Sequence, residues 1–419
     1  MALFDSLMGA RKSGAMALFR RRATVPSPAL IDKVARCYVA VALVAYLVDL
    51  LRQTRDGLTD GMGRPFGDDF VNFWSGPFLA WHQRSAEIYN FSAFHAFEQS
   101  VVGASLMGYH YSYPPTLLLL TAPLALIPYG PALVLWLCAG WFAFYRALRI
   151  AMPEGRTLLL ALATPAVLVN AIAGQNGTWT AALFGAGLGL LDRRPILAGG
   201  FLGLLIYKPQ LGILIPVALL AGRRWRACAA AAATSAALVA IAAIWFGPEM
   251  FADYLRQVIA LRHLILEDGT GVWHRMLSVF VMARRLGADV PAAYAAQAVA
   301  AAIAFLAVAA VWYRDASFGV RNAMLLLGTC LATPYLQDYD LVFGALVVVW
   351  LAQDQDVRRM PEWAWFLGSA SLLLLPLFAA PLALVTGLAF GPLFILPLFV
   401  IALKCGLAKR QSTALTAAA

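Results

Sequence analysis

Apolar runs, each ending at a short polar turn, follow one another along most of the chain. As α-helices, runs of roughly 20 residues match the hydrocarbon core of a bilayer. They are continuous rather than alternating, which argues against the strand pattern of a membrane barrel. The first run covers about 34–51. A polar, aromatic stretch follows, from 52 to 113, and within it FVNFWSGPFLAWHQ and FSAFHAFEQSVVG read as short amphipathic helices lying on the membrane surface. Two apolar pieces come next, about 115–127 and 131–148, parted by Pro128 and Pro131. The first of them is short for a span.

Charge orients these runs, because Lys and Arg collect in the cytoplasmic loops of membrane proteins. The basic clusters are Arg146/Arg149/Arg156, Arg193/Arg194, Arg223/Arg224/Arg226, Arg314/Arg321, Arg358/Arg359 and Lys404/Lys409/Arg410. Placing all of them inside sends NAIAGQNGTW, LIYKPQLG, the 247–290 segment, TPYLQDYD and a turn near Pro381 to the outer side. Only 115–127 breaks the alternation, since a full span there would invert everything after it. It is therefore expected to be re-entrant, shielded by neighbouring helices. The result is an all-α polytopic membrane protein with about 11–13 transmembrane helices. Its expected organisation is a basic cytoplasmic N-terminus (1–33), one transmembrane domain (34–404) and a cytoplasmic tail (405–419). Segments 52–113 and 247–290 are its two large external loops.

Composition agrees with that reading. The 419 residues are 62% hydrophobic and 13% charged, about half the charge of a soluble chain. The net charge of +10 fits cytoplasmic loops and anionic lipid, and no compact basic domain offers itself to nucleic acid. Cys37, Cys138, Cys228, Cys330 and Cys405 lie in or beside apolar runs without CxxC spacing and read as packing residues. Arg11, Lys12, Arg20, Arg21 and Arg22 precede no proper signal-peptide core, so the first span is expected to be an uncleaved anchor.

Where charge is scarce, each polar residue on the outer side becomes a candidate. Asp68 and Asp69 precede an amphipathic helix, so one of them suits an N-cap and either suits a general base for a hydroxyl. Asn72 and Trp74 lie about one turn onward. Tyr109, His110, Tyr111 and Tyr113 read either as an interfacial aromatic belt or as a sugar or lipid-headgroup platform. Gln175 and Asn176 either solvate a turn or hydrogen-bond a sugar. Lys208, alone between two short apolar runs, either snorkels or holds a phosphate. The 247–290 segment carries Arg262, His263, His274, Arg275, Arg284 and Arg285 against the positive-inside trend, which suggests an anionic ligand. Tyr335, Gln337, Asp338, Tyr339 and Asp340 return to the same side. The histidines lack ligand spacing, and no Walker A or GxSxG motif occurs, so neither a metal nor a nucleotide site is expected.

Taken in order, DDFVNFWSGPFLAWHQRSAEIYN, YSYPPTLLLLTAPLALIP, the GQN…RRP…KPQ block, SVFVMARRLG and TPYLQDYDL resemble glycosyltransferase family 87 over about residues 35–350. The resemblance implies a GT-C fold and transfer of mannose or a related hexose or pentose. The donor would be a polyprenyl-phosphate sugar and the acceptor a glycolipid or glycan, on the outer face of a bacterial inner membrane. It implies an acid in the first external loop as base, here Asp69 with Asp68 second, and a phosphate-side cation at Lys208. The inverting mechanism that follows puts Arg262, Arg275 and Arg284 with Lys208 on the donor phosphate. Asn72, Trp74, Tyr111, Tyr113, Gln175, Asn176, His274, Tyr335 and Gln337 are then set around sugar and acceptor. No cofactor is implied, and a monomer in the bilayer is expected. Two rivals are a lipid-linked sugar transporter or flippase, which would carry midplane polar residues on broken helices, and a structural membrane protein, which leaves Lys208 and the acid pair without a purpose.

Overall fold

The computed structural model describes residues 26–152 and 155–408, all helix, turn and loop with three isolated bridges. Arg11 to Arg22 and the tail beyond 408 lie outside the described residues. Helix α1 (Pro28–Arg52) starts where Ser27 caps Leu30, with Pro28 pre-set for the first turn. Ala42 is its one buried residue, while Val34, Val41, Val44 and Leu51 are exposed. A helix that turns apolar side chains outward along its length needs lipid as solvent. Five helices are long and apolar enough to cross a bilayer: α1, α5 (Tyr129–Ala151), α12 (Trp225–Phe246), α15 (Val290–Tyr313) and α19 (Glu362–Thr386).

Between α1 and α5 lie α2 (Phe70–Trp81), α3 (Phe91–Val102) and α4 (Pro115–Leu120), the last continued by a 3₁₀ turn (Ala122–Leu126). Segment α4 starts beside Tyr113, which bonds Gln175, and ends beside Tyr129, which bonds Phe66 O. Both of its ends therefore sit at one end of the bundle, as a re-entrant segment requires. Helix α2 is not a surface helix: its residues from Phe70 to Pro77 are all buried, and it packs on α3, α4 and the 3₁₀ turn.

The remaining helices are shorter: α6 (Thr157–Ala163) with α7 (Pro165–Ile172), α8 (Gly177–Leu190), and α9 (Pro195–Leu204) with its 3₁₀ end Leu205–Tyr207. Then come α10 (Pro209–Gly212), α11 (Ile215–Ala221), α13 (Glu249–Leu261), α14 (Val279–Arg285) and α16 (Phe318–Ala332). Last are the 3₁₀ turn Asp338–Phe343 with α17 (Gly344–Ala352), α18 (Gln355–Arg358) and α20 (Gly391–Leu407). Helix α16 is buried from Gly319 to Ala332 and forms the axis of the bundle, flanked by α15, α17 and α20.

The chain shuttles between two ends. At one end Arg321 pairs with Asp192 and Asp315, and Arg224 pairs with both at 3.2 and 3.3 Å, tying the basic loops together. The polar loops gather at the other. Helix α19 runs unbroken through Pro376 and Pro381 to a left-handed Gly387, so the turn expected near Pro381 falls at 387–390 instead. Neither proline interrupts the helix, which runs on until the Gly387 N–H bonds Ala383 O. The last helix extends to Leu407, so the tail expected from 405 starts as helix.

Candidate active site

The turn before α2 is built around two left-handed residues, Gly67 (φ 84°) and Asp68 (φ 51°), the second tolerated because Asp visits this region more readily than most residues. Its approach is fixed by Gln53, whose Oε1 accepts from Gly67 N at 2.7 Å. Asp68 is fully engaged. Arg64 Nε donates to Oδ2 at 3.0 Å and Tyr109 OH to Oδ1 at 2.9 Å. Arg64 also grips Asp49 through both Nη atoms and reaches Ile172 O, so Asp68 belongs to a clamp between α1, the turn and α7.

Asp69 is different. It occupies the N-cap position of α2 yet accepts no helix N–H. Gln175 Nε2 donates to its Oδ2 at 2.8 Å, and Gln175 Oε1 accepts from Tyr113 OH at 3.1 Å. Among the described residues Oδ1 accepts no hydrogen bond, and the side chain is half-buried. The capping role is thus unfilled by either acid. Burial and the Asp68 charge push the Asp69 carboxyl up to about 6, against the Gln175 hydrogen bond and the Arg275 and Arg64 charges, which pull it down. Nearby Glu98 is buried with both oxygens unpaired, and burial, helped by Asp69, pushes it up to about 9, so it is neutral at pH 7.

Gln175 and Asn176 do not solvate a turn; both are buried. Gly174 (φ 58°) lies so close to the acid turn that an added Cβ would strike Gly67 O and the Phe70 backbone. Gly177 faces Tyr339 O in the same way. These two glycines let the GQNG turn lie flat between the acid turn and the 338–340 turn. Gly174→Ala is expected to drive the two turns apart and cost about a hundredfold in turnover. Turnover and thermal midpoint measured on the purified variant check this.

Lys208 does not snorkel. It is 3% exposed, donates to Asp340 Oδ1 at 2.5 Å and Asn176 Oδ1 at 2.9 Å, and lies 5.0 Å over the Tyr339 ring. Asp340 Oδ2 in turn accepts from Gln337 N, so Gln337 caps the 3₁₀ turn that carries the acid. Arg275 holds Asp338 at 3.1–3.3 Å and covers the same Tyr339 ring at 5.3 Å. Tyr339 thus has two cations within cation–π range. Arg275 retains about a fifth of its side-chain exposure and acts on the Asp69 charge. It is placed by the bridge between Met276 and Gln337 and by Leu277 N donating to Leu336 O.

The remaining candidates separate. Trp74 donates to Ile127 O and stacks on Phe78 and Phe97, inside the core rather than on a free face. Tyr111 is buried against Gly76, Tyr89 and Phe94 with its hydroxyl unpaired. Tyr113 is buried at the Gln175 contact rather than in an interfacial belt. Asn72 is buried with Oδ1 unpaired. His274 is half-buried near Arg275 and Asp338, and Tyr335 is half-buried near Arg262 and Glu267. Arg262 pairs with Glu267 at 3.2 Å, and Arg284 bonds Ala288 O and Glu267 O; both stand apart from Lys208. In sequence Tyr109, Asp338, Tyr339 and Asp340 stand among the outer-side polar groups without a specific role, and Arg64 does not stand out at all. The QDYD acids were visible there, but their opposite charges lie 63 and 132 residues away.

An apolar cavity of about 340 Å³ opens between α4, α5, α8 and α9. Leu117, Leu124, Trp136, Trp179 and Leu204 line it, and Tyr207, next to Lys208 in the chain, closes one side. A family model described as glycosyltransferase family 87 matches residues 111–334, a little more than half the chain. That segment includes Gln175, Lys208 and Arg275; Asp68 and Asp69 precede it. No curated protein and no solved structure matches.

Proposed function

The chain belongs to glycosyltransferase family 87, and on that premise we propose that it moves a sugar from a polyprenyl-phosphate donor to a hydroxyl of a glycolipid or glycan acceptor, with Asp69 as general base. The observation that carries this reading is the state of Asp69. It is the member of the acid pair with a free oxygen, it is partly open, and it is held by an amide rather than by a cation. A base tuned near 6 is ionised at neutral pH yet still takes a proton readily.

In the proposed step the acceptor oxygen attacks the anomeric carbon as its proton passes to Asp69 Oδ1. The bond from that carbon to the donor phosphate breaks, and its electron pair leaves with the phosphate. The configuration inverts. Arg275 is the cation with exposure enough to meet the leaving phosphate, which is where preorganised charge acts most strongly. Lys208 has its donors on Asp340 and Asn176, so it acts through them by fixing the Tyr339 turn. The apolar cavity beside Tyr207 supports a lipid-linked donor, with the isoprenoid chain in the cavity and the phosphate toward Arg275. We assign Gln175, His274 and Tyr335 to sugar and acceptor hydroxyls, Tyr335 from the Arg262 side. The site end of the bundle, opposite the basic loops, is read as the outer face of the inner membrane.

The pH profile tests the base. Asp69 works ionised and its pKa is raised, so kcat/KM should rise with pH through about 6 and level above it. Glu98 stays neutral below about 9 and adds no second step there. Asp68→Asn removes a charge that raises Asp69, so the acid limb should move to lower pH. A limb that stays in place in Asp68→Asn, or a flat profile from pH 4 to 8, would remove Asp69 from the role.

A further inference from the structure

The arginines at the end of α14 are not part of the Lys208 site, whose ammonium is held by Asp340 and Asn176. Helix α13 runs into a π-helical turn, Arg262–Glu267, a form that frees backbone carbonyls. Trp273 Nε1 takes two of these, Ile265 O at 3.0 Å and Leu266 O at 3.1 Å, which fixes the indole. Arg284 and Arg285 lie over that indole at 5.5 and 5.4 Å. Glu267, whose backbone carbonyl accepts from Arg284, has its carboxylate taken by Arg262, His263 and Tyr294 OH. Among the described residues neither Arg284 nor Arg285 has a carboxylate partner, and both Nε atoms are buried without an acceptor. Arg284 spends its Nη atoms on two carbonyls. Orphaned guanidinium donors, stacked and held, are the form in which proteins wait for a phosphate or carboxylate.

Their depth selects the ligand. Leu286 and Gly287 follow at once, Leu286 exposed, and the spanning helix α15 begins at Val290 with Val299 and Leu306 exposed along it. The arginines therefore sit at the level of lipid headgroups. They also lead inward. Arg285 and Arg275 both act on His274, and Arg275 acts on Asp69.

We propose that Arg284 and Arg285 on Trp273 form an entry site for the phosphate of a lipid-phosphate substrate, which then passes His274 to Arg275. The proposal rests on the lipid-phosphate donor reading above. The test uses full-length protein in phosphatidylcholine nanodiscs with geranylgeranyl monophosphate as probe. Arg284→Gln/Arg285→Gln should weaken probe binding about tenfold, the loss typical of charge-assisted hydrogen bonds. Arg284→Lys/Arg285→Lys should fall between, since charge remains without the fork. Arg256→Gln, an exposed arginine on α13, serves as a charge-loss control and should bind like wild type. In turnover the double Gln variant should raise donor KM with kcat within about twofold. Equal probe binding by wild type and the double Gln variant overturns the entry site and leaves the donor reading standing. So does displacement of the probe by phosphatidylglycerol at equal concentration, which would mark a site for bulk anionic lipid. Wild-type protein that binds no probe overturns both.

Discussion

Asp69→Asn is expected to lower kcat by about a thousandfold while leaving the fold intact, and Asp68→Asn to retain most of it near neutral pH. The asymmetry follows from what each carboxylate does. Asp68 balances Arg64 and accepts from Tyr109, so its loss loosens a clamp shared with Asp49. Asp69 accepts one hydrogen bond, from a neutral amide, and Asn in its place can still accept from Gln175 Nε2 through its own Oδ1, leaving the Tyr113 bond to Gln175 Oε1 intact. Nothing structural therefore depends on its charge, and its loss should read in the chemical step. Rates from an assay with labelled polyprenyl-phosphate sugar, set beside thermal midpoints, separate the two. Full transfer by Asp69→Asn contradicts the assignment. Loss confined to Asp68→Asn, with an unchanged thermal midpoint, moves the base to its neighbour.

The second large effect concerns Lys208. Lys208→Met leaves Asp340 buried without its counter-charge and is expected to destabilise the protein by about 3–5 kcal/mol. Adding Asp340→Asn removes the stranded charge, keeps an acceptor for Gln337 N, and should restore most of the thermal midpoint. The activity of the restored protein is the informative reading. If Lys208 acts by fixing the Tyr339 turn, the double variant recovers measurable transfer with donor KM changed by a few-fold. Restored stability with no transfer at any donor concentration would make Lys208 a direct phosphate ligand and take that duty from Arg275.

Much of the architecture was legible because lipid and water impose different side chains. The apolar runs became helices, and the basic clusters meet at one end, where Asp192 and Asp315 knit them together. The 115–127 segment revealed itself through parity alone, and the structure starts and ends it at one end. Pro381 misled, because proline, a helix breaker in water, is tolerated within membrane helices. The site was legible in its residue types and only partly in its pairings. Asp69, Gln175, Asn176 and Lys208 stood out as polar groups in an oily chain, although a cap, a turn or snorkelling offered each a local reading. That Lys208 answers Asp340 and Arg275 answers Asp338 depends on contacts between distant segments, which no local pattern encodes. Trp74 and Tyr111 looked like sugar platforms because aromatic type is visible in sequence and burial is not.

The most direct measurement gives the purified protein, in nanodiscs, an anomerically pure prenyl-phosphate sugar and a glycolipid acceptor, and follows the anomeric proton by NMR. A glycoside of inverted configuration should appear in step with free prenyl monophosphate, and neither should form in Asp69→Asn. A product of retained configuration contradicts the mechanism, as does movement of intact donor across the bilayer with its sugar–phosphate bond unbroken.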